Sequence, residues 1–550
     1  MPNNNPKLGT RGKQPVGRRL GSFNVVRQAL KDELSAPVPV HDPITPLAVS
    51  NADSTLKSLS SVVASGFHLL PSRYHAAYVD VLQEALAQVQ KSLKPASAFG
   101  ISVTLMSRKK QQALLEQLKE VFQSLAQPLV QLKDSTLEAH LKAYLALASN
   151  LYQRFLQDET LKRQNSGSNR WPVLDPLGFF LPGADGPYTL PPTRELPISI
   201  VAKPSTQMRT VPLWVVDGHE VGGHGVYSIV SGFDQEVAEK LKAAVRSAVG
   251  KSSDLPESLN QLPMTLLFFD DDNEVKTAAF LENLAESYSQ ELAADLAGLL
   301  NFGPMFVNGL MLYFAALHKE GTLRNRGRMP ESGKGKMDKH PPDVLRALVS
   351  IACLQRLGFK DDALLKALAS DLNLRLKQAC GGALPEYLVF AGDNGKAVSL
   401  PLKLLGNVIE SIAECLMKEP LKCLGDRPLS QVLTWTELDQ SVVEKLALTI
   451  GDTGFDYRSI SDVEARHLVA ASLAALEAAS LKGSAAKELK RIQSNTVRAL
   501  KDFYLDQCLL CAVTTYSKSR RTENSLKGKS VENLLKALRH ARLTMKESGD

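Results

Sequence analysis

Two histidines and a glutamate fall within six residues in the run Asp217-Gly-His-Glu-Val-Gly-Gly-His-Gly225 of this 550-residue chain. Imidazole nitrogens and carboxylate oxygens are common zinc donors, and a glutamate beside the first histidine can take a proton from a water. The familiar zinc-hydrolase motif places its two histidines four apart on one helical turn. Here His219 and His224 are five apart. On a regular helix four residues bring a side chain back to within about 40° of the first, whereas five leave it about 140° away. The spacing therefore requires a local π-turn, which absorbs one extra residue. Gly222 and Gly223 stand where that widening is needed, and glycine accepts irregular backbone readily.

The six residues His219-Glu-Val-Gly-Gly-His224 resemble the zinc motif of the dipeptidyl peptidase III family, His-Glu-x-x-Gly-His, at every fixed position. The resemblance implies zinc bound by His219 and His224, with Glu220 activating water. It covers this short motif alone. A hydrolytic zinc takes three protein ligands and keeps a fourth position open, so a third ligand is expected from another helix. The segment Gln290-Glu-Leu-Ala-Ala-Asp-Leu-Ala-Gly298 resembles the third-ligand helix of thermolysin-like zincins, the gluzincins, with Gln290 in place of the usual Asn. That implies Glu291 as the ligand and Asp295 as the support of a ligating histidine. Their spacing of four puts both carboxylates on one helix face. From there Asp295 can accept a hydrogen bond from the far ring nitrogen and fix the tautomer. Glu286 is the reserve ligand.

A further element, Asp338-Lys-His-Pro-Pro-Asp-Val-Leu-Arg346, is similar to His-Pro elements with a following Arg in several zinc peptidase families. There they position helices or stabilise the oxyanion. His340 or Arg346 is accordingly a catalytic candidate, against the plain reading of a helix start with a structural Arg. Tyr227, Tyr288 and His340 are the candidate donors to the oxyanion. The expected mechanism is peptide hydrolysis by zinc-activated water, with Glu220 as proton shuttle. One alternative is a non-haem iron oxygenase using two histidines and one carboxylate, although such an enzyme has no use for Glu220. Another is a non-catalytic helical interaction protein with a structural metal site.

These residues must be held by a fold that the pattern predicts to be mostly α, with large helical N- and C-terminal regions around a small α/β core. The resemblance implies a zincin-like form for that core. Residues 1–48 read as a disordered basic arm, with six basic and no acidic residues before Lys31. Residues 49–163 form a helical domain, in which Leu114, Leu115, Leu118, Val121, Phe122 and Leu125 mark one buried face. Residues 164–345 hold the metal-binding core, entered through a Pro-rich stretch. Its strand-like runs lie at 198–202, 211–216 and 264–269, and a polar, Gly-containing mobile loop spans 319–342. Residues 346–550 return to helices. The strands at 198–202 or 211–216 are candidate edges for pairing with an extended peptide.

Composition narrows the classes further. The chain carries 65 basic and 58 acidic residues, but no aromatic-interleaved basic module, so nucleic acid is an unlikely partner. The most apolar stretch, 303–317, is shorter than the roughly 20 residues of a membrane span. No secretory apolar core follows the basic arm, which points to a cytoplasmic protein or one exported without a classical signal. The six cysteines suit reduced thiols. Cys508-Leu-Leu-Cys511 has CxxC spacing but no second pair. The implied partner is a peptide or protein substrate; nothing in the pattern specifies the oligomeric state.

Overall fold

In the computed structural model, the described residues are 22–35, 57, 60–65, 70, 74–92, 125–165, 175–182, 186–192, 196, 198–262, 276–328, 340–392 and 397–506. The expected helix around 114–125 lies almost wholly outside them. So do the strand at 264–269, Cys508, Cys511 and the last basic helix.

The fold is mostly helical with two small mixed sheets. Helix α1 is Phe23–Ser35, α2 is Asp80–Ser92 and α3 is Glu138–Leu156. Strands β1 (Leu177–Leu181), β2 (Tyr188–Leu190) and β3 (Ile200–Pro204) form the first sheet in the order β1-β3-β2. There β3 runs parallel to β1 and antiparallel to β2. A motif helix follows, α-helical over Asp217–His219 and π-helical over Glu220–Gly225. Next come α4 (Phe233–Gly250), α5 (Thr277–Phe302) and α6 (Pro304–Leu317). Strand β4 is Arg326–Arg328, α7 is Asp343–Leu354 and α8 is Asp362–Ala379. Strands β5 (Tyr387–Ala391) and β6 (Ala397–Pro401) complete the second sheet, with β4 parallel and β6 antiparallel to β5. Helices α9 (Gly406–Lys418), α10 (Glu437–Thr449), α11 (Ala465–Leu481) and α12 (Ala485–Asp506) close the order.

The centre of the structure is α5, 26 residues long and buried at every position from Glu291 to Phe302. Its Leu- and Ala-rich sequence suits a helix packed on all sides. The motif helix, α4 and α7 all pack against it. At its end Gly303 adopts φ +58°, where a Cβ would also strike the Trp435 ring, and Pro304 opens α6. One continuous cluster of buried apolar side chains extends from Phe23 to Phe503. Among the described residues no helix is long and apolar enough to cross a membrane.

Several expectations need correction. The arm expected to be disordered contains α1, which buries Phe23, Val26, Ala29, Leu30 and Leu34. These positions form an apolar stripe, and burying it outweighs the solvation of the basic residues around it. The run 211–216 is a 3₁₀ helix that buries all six side chains, Pro212 included. A proline near the start of a helical turn costs no backbone bond, whereas in a strand it would. In the stretch expected as a loop at 319–342, residues 326–328 pair with β5 as strand β4, and Arg324 is tied to Asp343. That pairing also bridges the expected domain boundary after residue 345. The Pro-rich entry contains β1 and β2, and the C-terminal helical region contains β5 and β6.

Candidate metal centre

The site is built where the motif helix lies against α5, and glycine sets how close the two come. A Cβ on Gly223 would stand 2.7 Å from the Cα and Cβ of Ala294, and one on Gly218 would stand 2.7 Å from the Cα of Gly298. A Cβ on Gly222 would meet the Asn301 amide at 2.9 Å. The glycines therefore permit near backbone contact between the helices as well as the π-turn. That turn runs over Glu220–Gly225, as the five-residue spacing requires.

The extra residue brings both histidines round to one side. His219 and His224 have ring centroids 4.7 Å apart and are nearly perpendicular. Glu291 reaches both from α5. Its Oε1 lies 3.0 Å from His224 Nε2 and its Oε2 3.4 Å from His219 Nε2. One donor atom from each of His219, His224 and Glu291 falls within 4.8 Å of the other two. Asp295, one turn on, sits behind His219, with Oδ1 2.8 Å from Nδ1. The sequence thus identified the residues that the structure brings together.

The donor set fits a cation. With Nδ1 engaged by Asp295, His219 turns Nε2 toward a Glu291 carboxylate oxygen 3.4 Å away, and a cation between them would be held by both. Glu291 Oε2 is buried and accepts no hydrogen bond. Ligand bonds of about 2.0–2.2 Å to a tetrahedral zinc would set donor atoms roughly 3.3 Å apart, close to the 3.0 Å and 3.4 Å from Glu291 to the two histidines, with all three donors within 4.8 Å.

Buried charge surrounds the cluster. Arg346, on α7, donates to Asp295 through Nε at 2.8 Å and Nη2 at 2.6 Å. Its Nη1 is 3.3 Å from Glu291 Oε2, and its guanidinium lies over the Phe314 ring. Nη2 also stands 3.1 Å from His219 Nδ1, because both approach the same Asp295 oxygen. Burial opposes ionisation of Glu291, but His219, His224 and His340 more than offset it and hold the carboxyl well below its usual range. Burial likewise opposes the Asp295 carboxylate, and Arg346 and then His219 reverse the effect. For His224, burial disfavours the charged ring, yet the hydrogen bond and charge of Glu291 push it up to about 9.

The other candidates divide. Glu220 is beside the cluster, its Oε1 3.9 Å from His219 Nε2 and its side chain 24% exposed. His340 Nδ1 is 3.6 Å from Glu291 Oε2, and its side chain is 36% exposed. Tyr227 does not face the cluster: it is buried, donates to the Ala293 carbonyl at 3.2 Å and stacks on Phe233. Its ring supplied the apolar mass that this interior position needed. Tyr288 turns toward the second sheet, where a Cβ on Gly327 would meet its hydroxyl at 3.1 Å. The reserve ligand Glu286 is on the surface, paired with Lys242.

Sequence reasoning missed Lys203. It is fully buried at the end of β3, with Nζ 2.9 Å and 2.7 Å from the two carboxylate oxygens of Asp217. This pair fastens the first turn of the motif helix to the sheet. Burial draws the lysine down and the aspartate up, and each partner counters that pull on the other. A lysine in an apolar strand shortly before an acidic helix start was the available signal. The segment carrying His340 is also fastened: Asp343 accepts from His318 Nε2 at 2.7 Å and from the Arg324 backbone N–H at 2.9 Å. No family model, curated protein or solved structure matches the chain.

Proposed function

We propose that the protein is a zinc-dependent hydrolase and, more narrowly, a metallopeptidase of gluzincin type. The observation that carries this reading is the convergence of His219, His224 and Glu291, with Asp295 behind His219 and Glu220 at the open side. Zinc held there would supply a water acidic enough to ionise near neutral pH. Glu220 is placed to take that water's proton and return it to the leaving amine. His340, partly exposed beside Glu291, is placed to donate to the oxygen that gains charge in the transition state. Glu220 also favours hydrolysis over iron oxygenation, which needs no base at that place.

Neither strand first expected to receive a peptide serves as an edge: 211–216 is helical, and β3 lies between β1 and β2. In this reading the substrate pairs with β2, which is the outer strand beside the motif helix. Thr189 of β2 sits against the position of a Gly225 Cβ, at 3.2 Å.

The test is metal content, followed by cleavage of a peptide library. We expect about one zinc per chain, lost in His219→Ala and Glu291→Ala and kept in Glu220→Gln. The last variant should lose roughly 10²–10⁴-fold in cleavage rate. Iron in place of zinc would favour oxygenase chemistry. Zinc that is indifferent to both ligand changes would overturn the site, and full activity in Glu220→Gln would overturn the mechanism.

A further inference from the structure

We infer that the buried Lys203–Asp217 pair is a positioning device: it fixes the rotation of the motif helix about its own axis and so aims His219 at Glu291. This rests on the metal-site reading above and adds to it what holds the first ligand from the far side.

The pair is shut away from solvent. The two side chains are 1% and 0% exposed, and Lys203 Nζ lies 2.9 Å and 2.7 Å from the two Asp217 oxygens. The rings of Tyr144 and Trp214 flank the ammonium, with centroids at 5.6 Å and 5.9 Å. Taking two charges out of water is unfavourable, and a buried ion pair often does no better for stability than apolar side chains of similar volume. Its use then lies in what it orients.

What it orients is a helix with little else to set its rotation. Interlocking side chains normally fix how one helix sits against another. Toward α5 the motif helix instead presents Gly218 to Gly298 and Gly223 to Ala294, backbone against backbone. The glycines that permit the π-turn and the close approach thus also remove side chains that would hold the helix against turning.

The ion pair supplies that constraint. Asp217 and His219 are two residues apart in an α-helical turn, so they leave the axis about 200° apart, on nearly opposite sides. Asp217 is tied to the end of β3 by Lys203. His219 is tied to α5 by Asp295, whose Oδ1 is 2.8 Å from Nδ1. The anchor at β3 is firm, because β3 is the middle strand of its sheet and Lys203 stands opposite Phe180 of β1. Turning the helix either way would strain both ties.

The experiment measures zinc affinity on full-length, metal-free protein by competition with a chromophoric chelator, at a temperature where melting curves show every variant folded. Lys203→Met/Asp217→Val removes both charges together. Asp217→Asn keeps the shape but turns an amide NH₂ toward the ammonium in place of one oxygen. We expect affinity to fall about tenfold or more in both, the scale on which losing an orienting partner weakens a metal site. The melting midpoint of the metal-free double variant should stay at or above that of wild type. A pair that served the fold alone would move the midpoint and leave the affinity of folded protein unchanged. Affinity equal to wild type in either folded variant overturns the inference. If the double variant does not fold, Asp217→Asn decides alone. Wild type that binds no zinc overturns the underlying metal-site reading, and this inference falls with it.

Discussion

Two clusters in this protein contain histidine, arginine and two acidic residues, yet they are chemically unlike. In the second, His467 is 2% exposed, and both ring nitrogens have conventional partners. Its Nδ1 accepts from the Glu464 backbone N–H at 3.0 Å, and its Nε2 donates to Asp439 at 2.9 Å. Arg466 binds Glu464, Asp439 and the Asn301 carbonyl. The group caps the start of α11 and ties it to α10 and α3. In the first cluster, one nitrogen of His219 is satisfied by Asp295. The other turns inward toward Glu291, as does His224 Nε2. His224 there is 32% exposed, while His219, Glu291 and Asp295 are buried. Histidine beside carboxylate is therefore no signature of a metal site by itself. The distinction lies in whether lone pairs converge on one point or are each used separately.

The comparison is broken most forcefully through the structural cluster. Arg466→Met would leave the buried Asp439 carboxylate without its cation, at a cost of about 3–5 kcal/mol, while the part-exposed Glu464 keeps Arg154. A chemical-denaturation curve should show that loss, with metal per folded chain unchanged. A fall in metal content of the folded fraction would mean that the clusters are coupled. A smaller change comes from the other side. Asp295→Asn keeps the shape but weakens the support of His219, and metal affinity should fall about 10–100-fold. Competition with a chromophoric chelator measures it; unchanged affinity would remove Asp295 from the site.

The mildest test is pH. Burial alone would raise the Glu464 carboxyl, but Arg466, Arg154 and His467 lower it from 4.5 to about 2. A depressed folded value contributes stability that is fully present above the ordinary value. It is lost as pH falls from 4.5 through about 2. Denaturation midpoints across that window should decline less steeply in Glu464→Gln than in wild type. Equal slopes would show that another group controls the acid response.

How legible each part was follows from the range of the forces involved. The π-turn could be read because its cause is local: two ligands five apart cannot share a regular helical turn. Glu291 and Asp295 were legible through helical spacing together with the gluzincin resemblance. Tyr227 was misjudged because sequence gives a side chain's type and not its rotation; the hydroxyl found a backbone carbonyl in α5. Val211–Val216 was misread because a short apolar run suits a strand or a buried turn equally, and only its packing among α6, α11 and the motif helix decides. The charge of the N-terminal arm obscured the apolar stripe of α1. Arg346 was legible as a candidate but its pairing with Asp295, 51 residues away, was not, and Lys203 went unread although its partner lies only 14 residues on.

The π-turn also has a genetic reading. Loss of either Gly222 or Gly223 would give His-Glu-Val-Gly-His, the spacing that a regular helix accommodates. One in-frame deletion of three nucleotides thus separates this motif from the widespread form, and the reverse insertion would regenerate it. The same step would shift every later residue of the motif helix by one position against the Ala294 and Gly298 contacts. The two spellings of the motif are adjacent as nucleotide sequences and separated by a repacking of the helix pair beneath them.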